Sequence, residues 1–182
     1  MSGTTIRTLE TAPASYPATP DDFLSDAAAS LDPAMLWQRI EGYTAWRSTE
    51  RAVTWIAEGS GEWVPTLRPA AITTTEVWIG DAWEATTLGT SPMGGYMLPG
   101  CGPYRFTGTA GDNEADIPAA LWEAFRRLAE YAAARAGAPG ARVEERKIGE
   151  ALEFRVERSA SWMAQALQNS GAADLLRSYR RA

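Results

Sequence analysis

The stretch from residue 51 to residue 109 constrains the fold most. Glycine and proline cut it at short intervals, at Gly59, Gly61, Pro65, Gly80, Gly89, Gly95 and the run Pro99-Gly100-Cys101-Gly102-Pro103. The pieces between the cuts are rich in Thr, Val, Ile and Trp. Such residues suit a pleated, half-buried surface, and segments this short between breakers favour strands and turns. Val53, Trp55 and Ala57 alternate with Thr54 and Ile56, which predicts a strand with one buried face. Residues 72–79 predict a second strand. Gly80-Asp81 then turns the chain, and residues 83–88 pair back as a hairpin. Residues 96–98 and 104–109 flank the Gly/Pro turn and predict two more strands. The sum is a small antiparallel sheet of four or five strands.

Helices are predicted on either side. Asp32-Pro33 pairs an N-cap carboxylate with proline at the first helical position, and Leu36, Ile40, Tyr43 and Arg47 follow at spacings of three and four. This predicts a helix over 33–48. Asp116-Ile117-Pro118 opens a longer helix that ends by Gly137. Its apolar stripe is Leu121, Phe125, Leu128 and Ala132, broadened by Trp122 and Ala129, with Glu123 and Arg127 as an i, i+4 pair outside.

The flanks are less regular. Residues 1–20 hold Pro13, Pro17 and Pro20 and read as an extended or mobile arm, and residues 21–30 as a short helix with Phe23 and Leu24 on one side. In 143–157, Leu152, Phe154 and Val156 alternate with charged residues, as an edge strand or as an arm that orders against a neighbouring subunit. A short helix capped by Ser159 or Ser161 contains Trp162, Met163 and Leu167. A last helix, 172–180, carries Leu175, Leu176 and Tyr179 as its apolar stripe. These readings divide the chain into an N-terminal arm with a short helix (1–30), a core (31–137) and a C-terminal arm with terminal helices (138–182).

The residues offer little catalytic chemistry. Histidine is absent, which removes His-based triads, bases and metal ligands. One cysteine, Cys101, excludes internal disulfides and any CxxC site, and it lies in a Gly/Pro turn with no activating base nearby in sequence. No phosphate loop, GxGxxG or GxSxG motif is present. Glu144-Glu145 reads as a solvated charge run. An enzyme is not expected, and no catalytic, cofactor or metal residue is assigned.

Net charge is −6, split as −9 over residues 1–117 and +3 over 118–182. The split is either drift between two halves or an acidic front with a basic tail that docks on an acidic partner. Acids interleave with the tail's arginines and blunt any field for DNA. A helix-turn-helix over 159–180 would present Leu175, Leu176 and Tyr179 where base-reading polar residues belong. No apolar run approaches the roughly 20 residues of a membrane span. The first residues lack a signal-peptide pattern, so a soluble protein made in the cytoplasm is expected. Most of the eight tryptophans are expected in cores, with one or two at a contact surface. A protein-interaction component remains.

The order of short motifs then becomes informative. RAVTWIAEG follows a helix, a hairpin leads to PYRFTGTAG, DIPAALWEAFRRLAEYAAARAG follows, and the chain closes on LQNSGAADLLRSYRRA. Over roughly residues 33–181 this resembles the head–tail connector (adaptor, or head-completion) proteins of long-tailed bacteriophages. It looks closest to the adaptor of gene transfer agents. The resemblance implies a helix bundle carrying a β-hairpin. With the element order above, the expected fold class is α+β and mainly α-helical, a small helix bundle with an inserted antiparallel hairpin or small sheet and extended arms at both ends. It further implies a structural virion protein that forms a dodecameric ring under the portal and extends the DNA channel. Double-stranded DNA would pass without sequence-specific binding, and the stopper and tail would attach below. The expected location is the neck of a virion or gene-transfer-agent particle, assembled in the bacterial cytoplasm, with no cofactor and no membrane. By position, Leu175, Leu176, Tyr179, Arg180 and Arg181 would dock on the portal. The alternatives are another neck or tail component, such as a stopper or tail terminator, and a small DNA-binding regulator using 159–180.

Overall fold

A computed structural model describes residues 2–113, 116–134, 143–148, 152–157 and 164–180. The elements in chain order are β1 (Thr4–Glu10), α1 (Asp26–Ala29), α2 (Pro33–Tyr43), β2 (Arg51–Glu58), β3 (Gly61–Trp63), β4 (Ala70–Ile79) and β5 (Ala82–Ala85). There follow β6 (Gly89–Thr90), β7 (Tyr96–Leu98), β8 (Tyr104–Ala110), α3 (Ala119–Ala134), β9 (Val143–Ile148), β10 (Leu152–Glu157), α4 (Ala166–Asn169) and α5 (Ala172–Leu175). The expected mainly helical bundle with a small inserted sheet is therefore corrected. The fold is mixed α/β, and strands hold more of the described chain than helices do. Three segments that the sequence reading assigned to an arm or to loops, Thr4–Glu10, Gly61–Trp63 and Gly89–Thr90, pair as strands. The chain divides into two compact units, one of residues 1–17, 41–116 and 179–182, the other of residues 18–40 and 117–178.

The first unit is built on a five-stranded antiparallel sheet in the order β1-β2-β8-β4-β5. Its centre follows from alternation. Arg51, Val53, Trp55 and Ala57 of β2 and Tyr104, Phe106, Gly108 and Ala110 of β8 all point to one buried face, with Trp55 opposite Phe106 and Val53 opposite Gly108. A second sheet, β3-β7-β6, contributes Trp63 and Leu98 to the same core. The Trp63 ring stacks on Phe106 at 3.8 Å between centroids and 14° between planes. Its indole N–H donates to the Thr5 hydroxyl at 2.8 Å, so the polar end of a buried tryptophan is satisfied. Gly108 is required by close approach, because a Cβ there would run into the backbone of Ala71, beside the β4 irregularity between Ile72 and Thr74. The expected Gly/Pro turn is present. The Tyr104 hydroxyl closes it, accepting from the Gly100 N–H at 3.0 Å and donating to the Gly100 carbonyl at 3.2 Å.

α2 stops at Tyr43, five residues short of the expected end. One side chain explains this. Arg47 Nη1 donates to the carbonyls of Glu41, Thr44 and Trp46 at 3.1, 3.2 and 3.0 Å. It thereby satisfies acceptors that the helix end leaves free, which a helix running on through Arg47 would not allow.

The second unit centres on α3. Leu121, Ala124, Phe125, Leu128 and Ala129 form its buried stripe, as the spacing predicts apart from Ala132, which is half-buried. Trp37 of α2 stacks on Phe125 at 4.8 Å, and Trp122 meets Trp37 and Phe23 edge-on at 5.3 and 5.6 Å. Ser25 caps α1 and also donates its N–H and its hydroxyl to the Glu130 carboxylate, both at 2.8 Å, which fixes α1 on α3. Where one alternating strand or arm was expected there are two strands, β9 and β10, paired antiparallel with Leu152 opposite Ile148. The expected last helix, 172–180, is also corrected. α5 ends at Leu175, and Arg177–Tyr179 forms a 3-10 turn. Trp162 and Met163 lie outside the described residues.

The charge split along the chain does not become a split between units. The first unit holds seven arginines against eleven acids, a balance of −4, and the second ten basic residues against twelve acids, a balance of −2. Both units draw on the front and the back of the sequence.

Candidate functional site

Two features of the first unit stand apart from ordinary core and surface. The first is a buried cluster of four charges. Arg51 leads β2 in phase with Val53 and Trp55, so the alternation places it indoors. Its Nη1 and Nη2 bind the two oxygens of Glu41 at 2.7 and 2.8 Å, and Nη1 also reaches Glu10 at 3.1 Å. Arg47 binds Glu10 through Nε at 2.5 Å and Nη2 at 2.9 Å. Both arginine side chains are nearly dry, Glu41 is 6 % exposed and Glu10 is 24 % exposed. Burial alone would lower the pKa of Arg51. The hydrogen bonds to Glu41 and the charges of Glu41 and Glu10 outweigh it and hold the guanidinium above its ordinary value. Two positive and two negative groups balance, so the cluster is a fastening between β1, α2, β2 and the loop that joins α2 to β2.

The second feature is the opposite face of the five-stranded sheet. There β8 presents Arg105 and Thr107, β2 presents Thr54 and Ile56, and the β4–β5 hairpin presents Glu76, Trp78 and Trp83, none of them fully buried. Arg105 binds both Glu76 oxygens, at 2.5 and 2.7 Å, and its guanidinium lies 4.6 Å from the centroid of the Trp83 ring. Trp78 meets Trp83 edge-on at 5.2 Å. The hydrogen bond from Arg105 holds the Glu76 carboxyl below its ordinary pKa. Trp78 is 39 % exposed. This is a preformed platform of aromatic rings and a clamped arginine, the composition that dominates binding energy at protein contacts. Sequence reading expected one or two contact tryptophans without naming them. The signal was available: Trp78 and Trp83 are spaced to lie opposite each other across Gly80-Asp81.

The residues expected to dock on a portal fall in both units. Leu176 is fully buried and Leu175 half-buried, both in the second unit. Tyr179 and Arg180 belong to the first, where the Tyr179 carbonyl accepts from the Ala45 N–H at 2.7 Å and its ring meets Trp46 at 5.7 Å. Arg180 is exposed, 5.5 Å from the Tyr43 ring centroid. Arg181 lies outside the described residues. Cys101 is exposed in its turn, with its carbonyl accepting from the Gly59 N–H at 2.8 Å. Among the described residues, no helix is long and apolar enough to cross a membrane.

No protein-family model matches the chain, and neither a curated protein nor a solved structure matches it.

Proposed function

We propose that the protein works by contact, as a structural subunit of a larger assembly, and that this assembly is the neck of a virion or gene-transfer-agent particle. The observation that carries the contact reading is the outer sheet face, where Trp78, Trp83 and the clamped Arg105 form a rigid platform. Such a platform loses little side-chain freedom when a partner covers it. The neck setting draws on the order of motifs across residues 33–181. The helical bundle implied by that likeness is not this fold, so the neck setting rests on the motif order alone and the contact reading on the platform. Within the neck, the roles are the adaptor ring under the portal, the stopper and the tail terminator. Sequence-specific DNA reading is not proposed, because α4 and α5 have four residues each and neither makes a recognition helix.

The test is co-sedimentation of the purified protein with portal rings and with tails produced from the same genome. Binding to the portal supports the adaptor, and binding to tails supports a stopper or terminator. Binding to neither overturns the neck setting. Trp78→Ala with Trp83→Ala should abolish whichever binding is seen while leaving the urea midpoint in place. Undiminished binding overturns the assignment of the platform.

A further inference from the structure

Strand β1 is attached in an unusual way. It is an edge strand, six of its seven residues are exposed, and its larger apolar side chains, Ile6 and Leu9, are 56 % and 47 % exposed. Hydrophobic burial therefore does little to hold it. Its attachments are polar: the ladder to β2, the Thr5 hydroxyl on Trp63, Gly3 N–H on the Glu62 carbonyl at 2.7 Å, and the Glu10 carboxylate across Arg47 and Arg51. The ladder is interrupted between Thr5 and Arg7. Beyond Thr11, which still bonds Ala52, residues 12–15 have no regular structure and three of the four are exposed. Tyr16 then returns to the unit with its ring 5.8 Å from the Arg51 guanidinium carbon.

We propose that β1 is an exchangeable strand: the β2 edge with Arg47 and Arg51 is a receptor for an extended segment ending in a carboxylate, filled by the chain's own β1 or by β1 of a second copy. The second copy is the occupant because only it offers the same ladder partners and the same carboxylate at the same register. Exchange preserves every bond that it breaks, so the balance is set by the hinge and by concentration. The chain's own strand acts at an effective concentration of order millimolar, as a short flexible tether gives. Dilute protein keeps β1 at home, and copies held side by side exchange it. The carboxylate also selects against unrelated strands, because a segment without one leaves Arg47 without its carboxylate partner and Arg51 with Glu41 alone. The inference stands without the particle-neck reading.

Leu9 and Thr54 are Cα partners in the ladder. Two variants, Leu9→Cys and Thr54→Cys, each also carrying Cys101→Ser, are mixed at about 1 mM, equilibrated and oxidised, and the covalent heterodimer is counted. A mixture of Leu9→Cys with Asp26→Cys measures random cross-linking. Heterodimer about tenfold above that control, falling on dilution below the effective concentration of the tether, supports exchange. Heterodimer at the control level overturns it. Sedimentation of the wild-type chain refolded at the same concentrations is a second readout, and monomer at every concentration also overturns it. Glu10→Gln keeps the ladder and removes the charge, so it should speed heterodimer formation. An unchanged rate overturns the role given to the carboxylate.

Discussion

Arg51 and Glu41 meet through two parallel hydrogen bonds of 2.7 and 2.8 Å, with 3 % and 6 % of their side chains exposed. The pair joins the end of α2 to the start of β2. Glu41 also accepts from the Ser48 N–H at 3.2 Å, so the carboxylate orders the loop between the two elements as well. A pair this dry is held in place by what surrounds it, and neither partner tolerates the loss of the other.

Arg51→Ala should therefore cost about 3–5 kcal/mol, the penalty of leaving a buried carboxylate without its partner. Arg51→Lys should recover only part of this, because an ammonium cannot reproduce the planar two-point contact. Urea midpoints with slopes measured alongside give both numbers. A loss in Arg51→Ala near that of an exposed pair, below about 1 kcal/mol, contradicts the fastening role.

Trp63 and Trp78 should separate stability from contact. Trp63→Ala removes the ring that stacks on Phe106 in the core, and the expected loss is about 3–5 kcal/mol. Trp78→Ala removes a ring from the outer face and should stay within about 0.5 kcal/mol of wild type. Equal losses in the two variants would place Trp78 in the packing and remove it from the contact platform.

Gly108→Val tests the close approach of β8 to β4. A valine Cβ would strike the Ala71 backbone, and backbone cannot swing aside as a flexible side chain does. About 1–3 kcal/mol of destabilisation is expected, with slower-protected amides lost first along 70–74. Hydrogen exchange reads both, and unchanged protection there would mean that the strands separate without cost.

Much of this arrangement was legible in the sequence and some was not, for identifiable reasons. β2, the β4–β5 hairpin, β8 and α3 carry their own periodicity and breakers, and their residues pair as that pattern predicts. β1 and β3 were missed because their pairing depends on the rest of the first unit. TTIRTLE has strand-forming residues but follows no turn, and Gly61–Trp63 is too short to show alternation. α2 was read too long because Arg47 falls at helical spacing after Tyr43, while its side chain acts as a cap. The charge cluster needed contacts between residues 10, 41, 47 and 51, and none of the four is marked as its member by sequence; the one signal on offer is the phase of Arg51 with Val53 and Trp55. The C-terminal residues read as one docking helix are divided between the two units, which no periodicity reveals.

The last prediction concerns acid. On α3, Arg126 and Arg127 donate to the Glu123 carboxylate at 2.8–2.9 Å and hold its pKa at about 2, against an ordinary 4.5. The folded chain keeps Glu123 ionised down to that value, whereas the unfolded chain takes up the proton near 4.5. Between those limits the unfolded state binds more protons, so stability falls as pH falls through the window and is unaffected above it. The groups are partly exposed and water screens them, so the contribution is that of surface helix pairs, about 0.3–0.5 kcal/mol each. Glu76 and Glu130, also held below their ordinary values, act with the same sign. Glu123→Gln should therefore lose less stability than wild type between pH 7 and pH 3 in low salt, and 1 M salt should shrink the difference, since the Debye length is then only about 3 Å. Urea titrations at the two pH values measure it, and parallel losses in the two proteins would show that the arginines are not bound to Glu123 in solution.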